Sequence, residues 1–309
     1  RWYPGAGLYR NVHLVTTDEL HFKGWGPFFT TPEVSASKAK VSVQTELEGF
    51  ARQNAICRTA ILDKDGFTVA SVESPVKAAS FSQELIIDNP NLWSPKSPYL
   101  YKAVTQVFVD GRMADEYINT LGIRKIEFVD SVGFLLNGEL TKFKGVSMHH
   151  DLGPLGAAVN KAAMRHQIQM LQDMGCNAIR TAHNPPAPEY VELCDEMGMM
   201  MMIEAFDEWK SAKLENGYHC DFDQWAEKDL VSIIHQYRNH PSVFLWSTGN
   251  EICRVKEDLN EGLAEAKFLT DIAHREDPTR PVTAGQHQHN RYGVQEWRDA
   301  FDLIGVNYS

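Results

Sequence analysis

The run Ser242-Val243-Phe244-Leu245-Trp246-Ser247-Thr248-Gly249-Asn250-Glu251 decides the fold of this chain. It begins as a short apolar segment, and its glycine indicates a strand that ends in a turn. An amide and a carboxylate, Asn250 and Glu251, follow directly. Such a pair lies on a loop carried by a rigid scaffold, which is the usual position for functional residues. On this run alone, a cap of the next helix explains the pair equally well.

The sequence around this run alternates strands with helices from residue 127 onward. Asn160 is the predicted cap of a helix that carries Met164, Ile168 and Leu171 on one face and ends at Gly175. Further helices are predicted over 188–197, through 225–237 and over 259–276. The predicted strands cover residues 143–148, 178–180, 200–203, 243–247, 281–283 and 303–306. Alternating strands and helices imply a parallel sheet. Because no glycine-rich phosphate loop is present, they favour a (β/α)₈ TIM barrel over a dinucleotide-binding fold. Only six strands fit before Ser309, so we expect an incomplete barrel.

The first 126 residues follow the period of strands instead. Residues 41–47, 81–87 and 101–109 alternate apolar and polar side chains, and turn residues such as Asp65-Gly66 and Asp110-Gly111 separate such runs. Short strands at this spacing predict a β-sandwich over residues 20–126. Residues 1–19 do not fit that sandwich. We interpret them as the tail of a preceding domain, with Tyr9 to Val15 as its last strand.

Composition excludes several classes of protein. The chain has 309 residues, which fits two or three domains, and its net charge of −11 argues against nucleic acid or an anionic membrane as a partner. No apolar run approaches the ~20 residues of a membrane span. The five cysteines are odd in number and lack metal-type spacing, so neither a disulfide framework nor a zinc site is indicated. The chain opens on Arg1 rather than Met, so we expect a segment of a longer protein. The sequence leaves open a bacterial cytoplasmic or periplasmic location, and a monomer or a homo-oligomer.

Polar side chains follow every predicted barrel strand, where the active site of such a barrel forms. In strand order, the ends carry His149-His150-Asp151, Thr181 to Pro185, Glu204 with Asp207 and Glu208, Asn250-Glu251, Gln286 to His289, and Asn307-Tyr308. The sequence has no Gly-x-Ser-x-Gly and no His-Glu-x-x-His motif. Carboxylate chemistry in a polar cleft is the remaining prediction.

Each of these residues also has a structural interpretation. A single histidine such as His149 or His183 is more often an ordinary loop or core residue than a ligand contact. His149 and His150 are adjacent on an extended segment, so their side chains point to opposite sides and do not favour joint metal ligation. We expect Glu204 to be the carboxylate partner of Arg180, because an unpaired buried charge is costly.

Several of these motifs together resemble glycoside hydrolase family 2, and their pattern is closest to that of the bacterial β-galactosidases. The barrel half carries the resemblance in Phe143 to Val146 followed by His149, Asn177 to Pro185, Arg238 to Val243, and Trp246 to Glu251. Residues 7–12 are similar to the end of the family's sugar-binding jelly roll. Residues 91–101 and 121–124 are similar to its second, immunoglobulin-like β-sandwich. The resemblance implies a multidomain protein in which an immunoglobulin-like sandwich at 20–126 precedes the first six β/α units of a catalytic TIM barrel at 127–309.

The resemblance also implies a retaining exo-glycosidase acting on an oligosaccharide or another β-galactoside. Glu251 would be the general acid/base, and Asn250 would bind the sugar 2-hydroxyl. His149 and His183 would contact the nonreducing-end sugar, and Tyr308 would hold the nucleophile. That nucleophile is a glutamate of the seventh strand in the family, so we expect it outside this sequence and expect the 309-residue chain alone to be inactive.

The metal and the sugar are less well defined by the resemblance. Large β-galactosidases bind Mg²⁺ with a glutamate and a nearby histidine; Glu208 fits the carboxylate, but Lys210 stands in place of the histidine. An ammonium group is no metal ligand, so we expect no required cofactor and regard a magnesium site as doubtful. A β-glucuronidase or another exo-β-glycosidase of the family is the alternative, although no Asn-x-Lys motif for a substrate carboxylate is present. An inactive carbohydrate-binding homologue is the alternative of a different class.

Overall fold

The computed structural model describes residues 7–49, 54–252, 262–287 and 295–308. Within them, an antiparallel β-sandwich is followed by a small three-stranded sheet and then by a parallel sheet of six strands with helices between them. No helix in these ranges is long and apolar enough to cross a membrane.

The sandwich consists of two four-stranded sheets. In β3 and β7 every second side chain is buried, as the alternating sequence predicts, because one face of each strand points into the core. Ala39, Val41, Leu85 and Ala103 pack together between the sheets. One sheet contains β1 (His21–Phe22), β2 (Phe28–Val34), β3 (Lys38–Glu48) and β6 (Ser80–Asp88); the other contains β4 (Ala55–Leu62), β5 (Thr68–Pro75), β7 (Tyr101–Val109) and β8 (Arg112–Leu121). The predicted immunoglobulin-like sandwich is confirmed.

A small antiparallel sheet, which the sequence patterns do not predict, joins the sandwich to the barrel. It contains β9 (Ile126–Val129), β10 (Gly133–Leu136) and β11 (Glu139–Leu140). Its Phe134 and Leu136 belong to one apolar cluster with Ala178, Met200 and Phe244, which lie at or near the beginning of barrel strands. The sheet therefore covers the end of the barrel opposite to the predicted site.

The parallel sheet runs in strict chain order, with each strand hydrogen-bonded to the next. Its strands are β12 (Gly145–Met148), β13 (Ala178–Thr181), β14 (Met200–Glu204), β15 (Val243–Asn250), β16 (Val282–His287) and β17 (Gly305–Asn307). The helices between them are α1 (Lys161–Asp173), α2 (Pro188–Met197), α3 (Phe222–Tyr237), α4 (Leu263–Glu276) and α5 (Gln295–Arg298). This arrangement is an incomplete TIM barrel, and the prediction is confirmed.

Local sequence explains where the first barrel helices begin and end. The Asn160 side chain accepts a hydrogen bond from the Ala163 N–H at 3.0 Å, which satisfies one of the free donors at the start of α1. Proline begins α2, where its missing N–H costs nothing, and Gly198 ends it in the left-handed conformation at φ 75°. Both ends agree with the sequence prediction.

One local prediction is wrong, and another is not tested. Tyr9 to Val15 have no strand neighbour within the described residues, and since a strand needs a neighbour for its hydrogen bonds, their assignment as the last strand of a preceding domain stays a prediction. In this chain the Tyr9 ring lies against His150, and Arg10 donates to the Pro185 carbonyl at 2.7 Å. The wrong prediction is that the strand over 243–247 turns at Gly249. It continues to Asn250, because β16 pairs with it as far as Gly285, with a register shift after Ser247.

Hydrogen bonds fix the sandwich against the barrel. Trp93 of the sandwich donates its indole N–H to the Asp195 carbonyl in α2 at 3.0 Å. Asn239, just after α3, accepts from the Phe29 N–H at 2.9 Å and donates to the Pro27 carbonyl at 2.8 Å. The buried Arg124 donates to the carbonyls of residues 241 and 243. The sandwich is therefore hydrogen-bonded to α2 and to the segment that leads from α3 into β15, the strand that ends at Asn250.

Candidate active site

The end of β15 is fixed by close packing. Every residue of this strand is buried, and the Trp209 indole donates to the Thr248 carbonyl at 2.9 Å. A Cβ at Gly249 would lie 2.9 Å from that indole nitrogen and 2.7 Å from the Ile252 side chain. Glycine is therefore required here by the close approach of Trp209.

Glu251 follows in an unusual backbone conformation. Its φ is +47°, a left-handed value that residues other than glycine rarely adopt. Its N–H donates to the Gly285 carbonyl of β16 at 2.7 Å, and its carboxylate Oε1 accepts from the Asn307 amide at 3.0 Å. Partly exposed and held at both the main chain and the side chain, this carboxyl group can exchange a proton with a bound molecule.

Asn250 is buried and fully oriented by its neighbours. Its Oδ1 accepts from Arg180 Nη2 at 2.8 Å and from the Asn307 amide at 3.0 Å. Its Nδ2 donates to Asp207 Oδ1 at 3.3 Å, and its main-chain carbonyl accepts from Lys213 Nζ at 2.5 Å. The amide has one further N–H for a ligand, because it carries two.

Glu204 lies beneath this pair and is completely buried. Its carboxylate accepts from Arg180 Nε at 2.8 Å, from His183 Nδ1 at 2.5 Å and from the Ser247 hydroxyl at 2.7 Å. The structure confirms Glu204 as the partner of Arg180. It adds that the same carboxylate orients His183, so that strands β13, β14 and β15 are joined at their C-terminal ends.

His149 and His183 meet as a pair. Their rings lie 5.4 Å apart at an interplanar angle of 84°, which is an edge-to-face contact. Burial lowers the pKa of His149, and the neighbouring His183 lowers it further. The adjacent His150 points elsewhere, with Nε2 at 3.0 Å from the Ala157 carbonyl. The prediction that His149 and His150 face opposite sides therefore agrees with these contacts.

Two family descriptions match the chain in consecutive parts. The TIM barrel domain of glycosyl hydrolases family 2 matches residues 127–307, and the description "Glycosyl hydrolases family 2" matches residues 26–124. The chain belongs to glycoside hydrolase family 2.

Relatives of this family 2 chain include enzymes named for two different sugars. It is 39% identical to beta-galactosidase BoGH2A of Bacteroides ovatus, over 100% of this chain and 40% of that protein. It is 30% identical to a beta-glucuronidase of Bacteroides fragilis, over 92% of this chain and 42% of that protein. A solved glycosyl hydrolase family 2 member from Bacteroides cellulosilyticus superimposes with a TM-score of 0.95 at 39% identity, over 100% of this chain and 40% of that one. The chain thus spans less than half the length of these relatives.

Glu208 of this family 2 chain is surrounded by N–H donors. Its carboxylate accepts from the Lys213 N–H at 2.7 Å, from the His219 N–H at 3.0 Å and from His219 Nδ1 at 3.1 Å. Burial by itself raises the pKa of Glu208, but these donors outweigh it and hold the pKa below its usual value. Lys210 pairs with Asp223 and Glu265 instead. Within the described ranges, no three His, Cys, Asp or Glu side chains are grouped to hold a metal ion.

The remaining strand ends are described only in part. Tyr308 follows β17 with 76% of its surface exposed, and the contacts of Asn250 and Glu251 described above come from other residues. Gln288 and His289, which the sequence places after the fifth strand, lie outside the described residues, as does Cys253.

Sequence reasoning missed the contacts that three residues make with Asn250 and Glu251. Asn307 stands next to Tyr308, and its place at a strand end was a usable signal. Asp207 follows β14 beside Glu208 and was named only as one polar residue among several. Lys213 lies in an irregular segment with no motif, so no sequence signal could have found it.

Proposed function

We propose that the full-length protein is a retaining exo-glycoside hydrolase that removes nonreducing terminal β-galactosyl residues. The observation that carries this proposal is the Asn250–Glu251 pair, which is held at the C-terminal end of the fourth strand of a family 2 barrel. The 39% identity to a β-galactosidase supports the choice of sugar.

In the first step, the protonated Glu251 carboxyl donates its proton to the glycosidic oxygen as a second carboxylate attacks the anomeric carbon. The bond to the leaving group breaks, and a covalent glycosyl-enzyme forms. In the second step, Glu251 removes a proton from water, and the resulting nucleophile displaces the second carboxylate. The second carboxylate is the catalytic nucleophile. We assign it to a seventh strand outside these 309 residues, and we assign the role to no residue within them.

Asn250 is suited to hold the sugar 2-hydroxyl. Arg180 and Asn307 both donate to its amide oxygen, and Asp207 accepts one of its two N–H bonds. These contacts fix the amide with its other N–H available to substrate, and such a hydrogen bond strengthens in the oxocarbenium-like transition state.

The two histidines are suited to bind hydroxyl groups of the same sugar. A lowered pKa keeps the His149 imidazole neutral at neutral pH, so it can both donate and accept. Glu204 accepts from His183 Nδ1, which fixes the orientation of the His183 ring beside His149. Tyr308 keeps its proposed role of holding the nucleophile.

We also propose that the reaction requires no magnesium. Three N–H groups donate to the Glu208 carboxylate and compensate its negative charge, as a bound metal ion would. These hydrogen bonds also hold the segment between β14 and α3 in place. Dialysis against EDTA is expected to leave kcat/KM unchanged, whereas a loss that Mg²⁺ restores would contradict the proposal.

β-Glucuronidase activity is the second candidate, because a relative named putative beta-glucuronidase is 38% identical over 92% of this chain. A glucuronidase must bind the substrate carboxylate, and if an Asn-x-Lys motif serves that purpose, it lies past Ser309. An inactive carbohydrate-binding homologue is the third.

A panel of aryl β-glycosides tests all three candidates on the full-length protein. We expect the galactoside to be the best substrate and Glu251→Gln to lose at least about 100-fold in its kcat/KM, since general acid catalysis contributes about 10²–10⁴-fold. Glu196→Gln, an exposed partner of Arg165, is the matched control with unchanged activity. Preference for the glucuronide would favour the second candidate. Binding without turnover would favour the third, and full activity in Glu251→Gln would refute the assignment of the acid/base.

A further inference from the structure

A buried lysine lies directly behind the Asn250–Glu251 pair. The Lys213 side chain is 3% exposed, and its Nζ donates to Asp207 Oδ1 at 3.0 Å and to the Asn250 carbonyl at 2.5 Å. Burying an ammonium group is costly unless it is paired and hydrogen-bonded. A surface lysine avoids this cost, so the position needs an explanation beyond packing.

Lys213, Asp207 and Asn250 form a closed set of contacts. Asp207 Oδ1 accepts both from Lys213 Nζ and, at 3.3 Å, from Asn250 Nδ2. Lys213 in turn donates to the Asn250 main-chain carbonyl. Asn250 is therefore held at its main chain by the ammonium and at its side chain by the ammonium's own counter-ion.

The Asn250 carbonyl belongs to the peptide group that leads into Glu251. Lys213 binds the oxygen of this peptide group, and the Gly285 carbonyl accepts its N–H at 2.7 Å. Because a peptide group is planar, fixing both its oxygen and its N–H fixes its orientation. The orientation of this peptide group, together with the φ of +47° at Glu251, sets the direction in which the Glu251 side chain leaves the main chain.

Lys213 is itself held in place at its main chain. Its N–H donates to Glu208 Oε2 at 2.7 Å, and Glu208 is fixed by His219 from the other side. A long flexible side chain would otherwise lose its precision as a hydrogen-bond donor, since a free lysine samples many rotamers. The Glu208 carboxylate therefore fixes the main-chain position from which the Lys213 side chain extends.

We propose that Lys213 is a positioning residue: its ammonium orients the peptide group between Asn250 and Glu251 and so aims the Glu251 carboxyl at the leaving-group oxygen. This proposal rests on the proposed function of Glu251 as the general acid. It predicts that loss of Lys213 damages proton donation more than it damages sugar binding.

The test compares two leaving groups in the full-length protein. A dinitrophenyl β-galactoside needs little proton donation in the glycosylation step that kcat/KM reports, whereas a phenyl β-galactoside depends on it. The measured quantity is the ratio of kcat/KM for the phenyl substrate to kcat/KM for the dinitrophenyl substrate. Both values come from one preparation, so the ratio does not depend on the fraction of folded enzyme.

Lys213→Met is expected to lower this ratio about 10–100-fold, which is part of the ~10²–10⁴-fold that a general acid supplies. Lys213→Gln, which keeps a donor without the charge, is expected to lower it less, and it decides the matter if the Met variant is insoluble. Lys210→Met is the matched control, because Lys210 is half exposed and pairs with Asp223 and Glu265; its ratio should stay within about twofold of wild type.

Glu251→Gln separates failure of this proposal from failure of the proposed function. If Glu251→Gln lowers the ratio but neither Lys213 variant does, the positioning role is wrong and the proposed function stands. If the wild-type protein hydrolyses neither substrate, or Glu251→Gln leaves the ratio unchanged, the proposed function itself is wrong. Equal losses on both substrates in the Lys213 variants would also overturn the positioning role, because they indicate general damage to the site.

Discussion

Replacing Glu204 with glutamine should destabilise the barrel measurably. The carboxylate is completely buried, and it accepts from Arg180, His183 and Ser247. Glutamine keeps the shape of the side chain and removes its charge. The change therefore isolates the electrostatic part of these contacts from packing.

The expected loss of stability depends on which donors each carboxylate oxygen of Glu204 accepts from. Oε2 accepts from Arg180 and Ser247, and Oε1 accepts from His183. A glutamine can keep its oxygen toward Arg180 and place its NH₂ toward His183, whose Nδ1 then accepts as the neutral tautomer. Breaking a buried ion pair costs about 3–5 kcal/mol, and the bonds that survive reduce the expected loss to about 2–4 kcal/mol.

Urea unfolding of the full-length protein, followed by tryptophan fluorescence, measures this loss. The free energy of unfolding is compared at equal slope, so that a change in the midpoint reports stability. Glu196→Gln is the control, because the Glu196–Arg165 pair is half exposed and should contribute less than about 1 kcal/mol. If Glu204→Gln shifted the midpoint no more than this control, Glu204 would not be the charge partner that stabilises Arg180 and His183.

Three further predictions concern the same end of the barrel. Asn307→Ala should lower kcat about 10-fold or more with little change in melting temperature, because its amide orients the Glu251 carboxyl, the proposed acid/base. Steady-state kinetics on the full-length protein measure this change, and an unchanged kcat would exclude the role. The pKa of Glu208 is lowered in the fold, so its contribution to stability is present above its usual value of 4.5 and is lost as the pH falls through the folded-state pKa. Melting temperatures between pH 3 and pH 7 should therefore fall less steeply at the acid end in Glu208→Gln, and parallel curves would refute this. The 309-residue chain alone should show no turnover of an aryl β-galactoside, because we assign the nucleophile to a residue outside it; measurable turnover would overturn that assignment.

Periodicity predicted the two halves well because both obey local rules. Alternating side chains in β3 and β7 reflect a sandwich with one buried face per strand. Helices such as α2 begin at proline and end at glycine, as the sequence indicates. The mistake at Gly249 occurred where a neighbouring strand decided the outcome. β15 continues past Gly249 because β16 supplies hydrogen bonds as far as Gly285.

The family motifs, the alternation of strands and helices, and the position of Asn250 and Glu251 at the end of a strand could all be predicted from the order of residues along the chain. Each of these features depends on residues that are close to one another in the sequence. Only the tertiary structure brought Lys213, which is 37 residues away, to the Asn250 carbonyl, and Asn307, which is 57 residues away, to its amide. A parallel barrel collects the C-terminal ends of distant strands at one edge, so which residues hold a catalytic pair depends on packing between units. That packing has no signature within any single strand or loop.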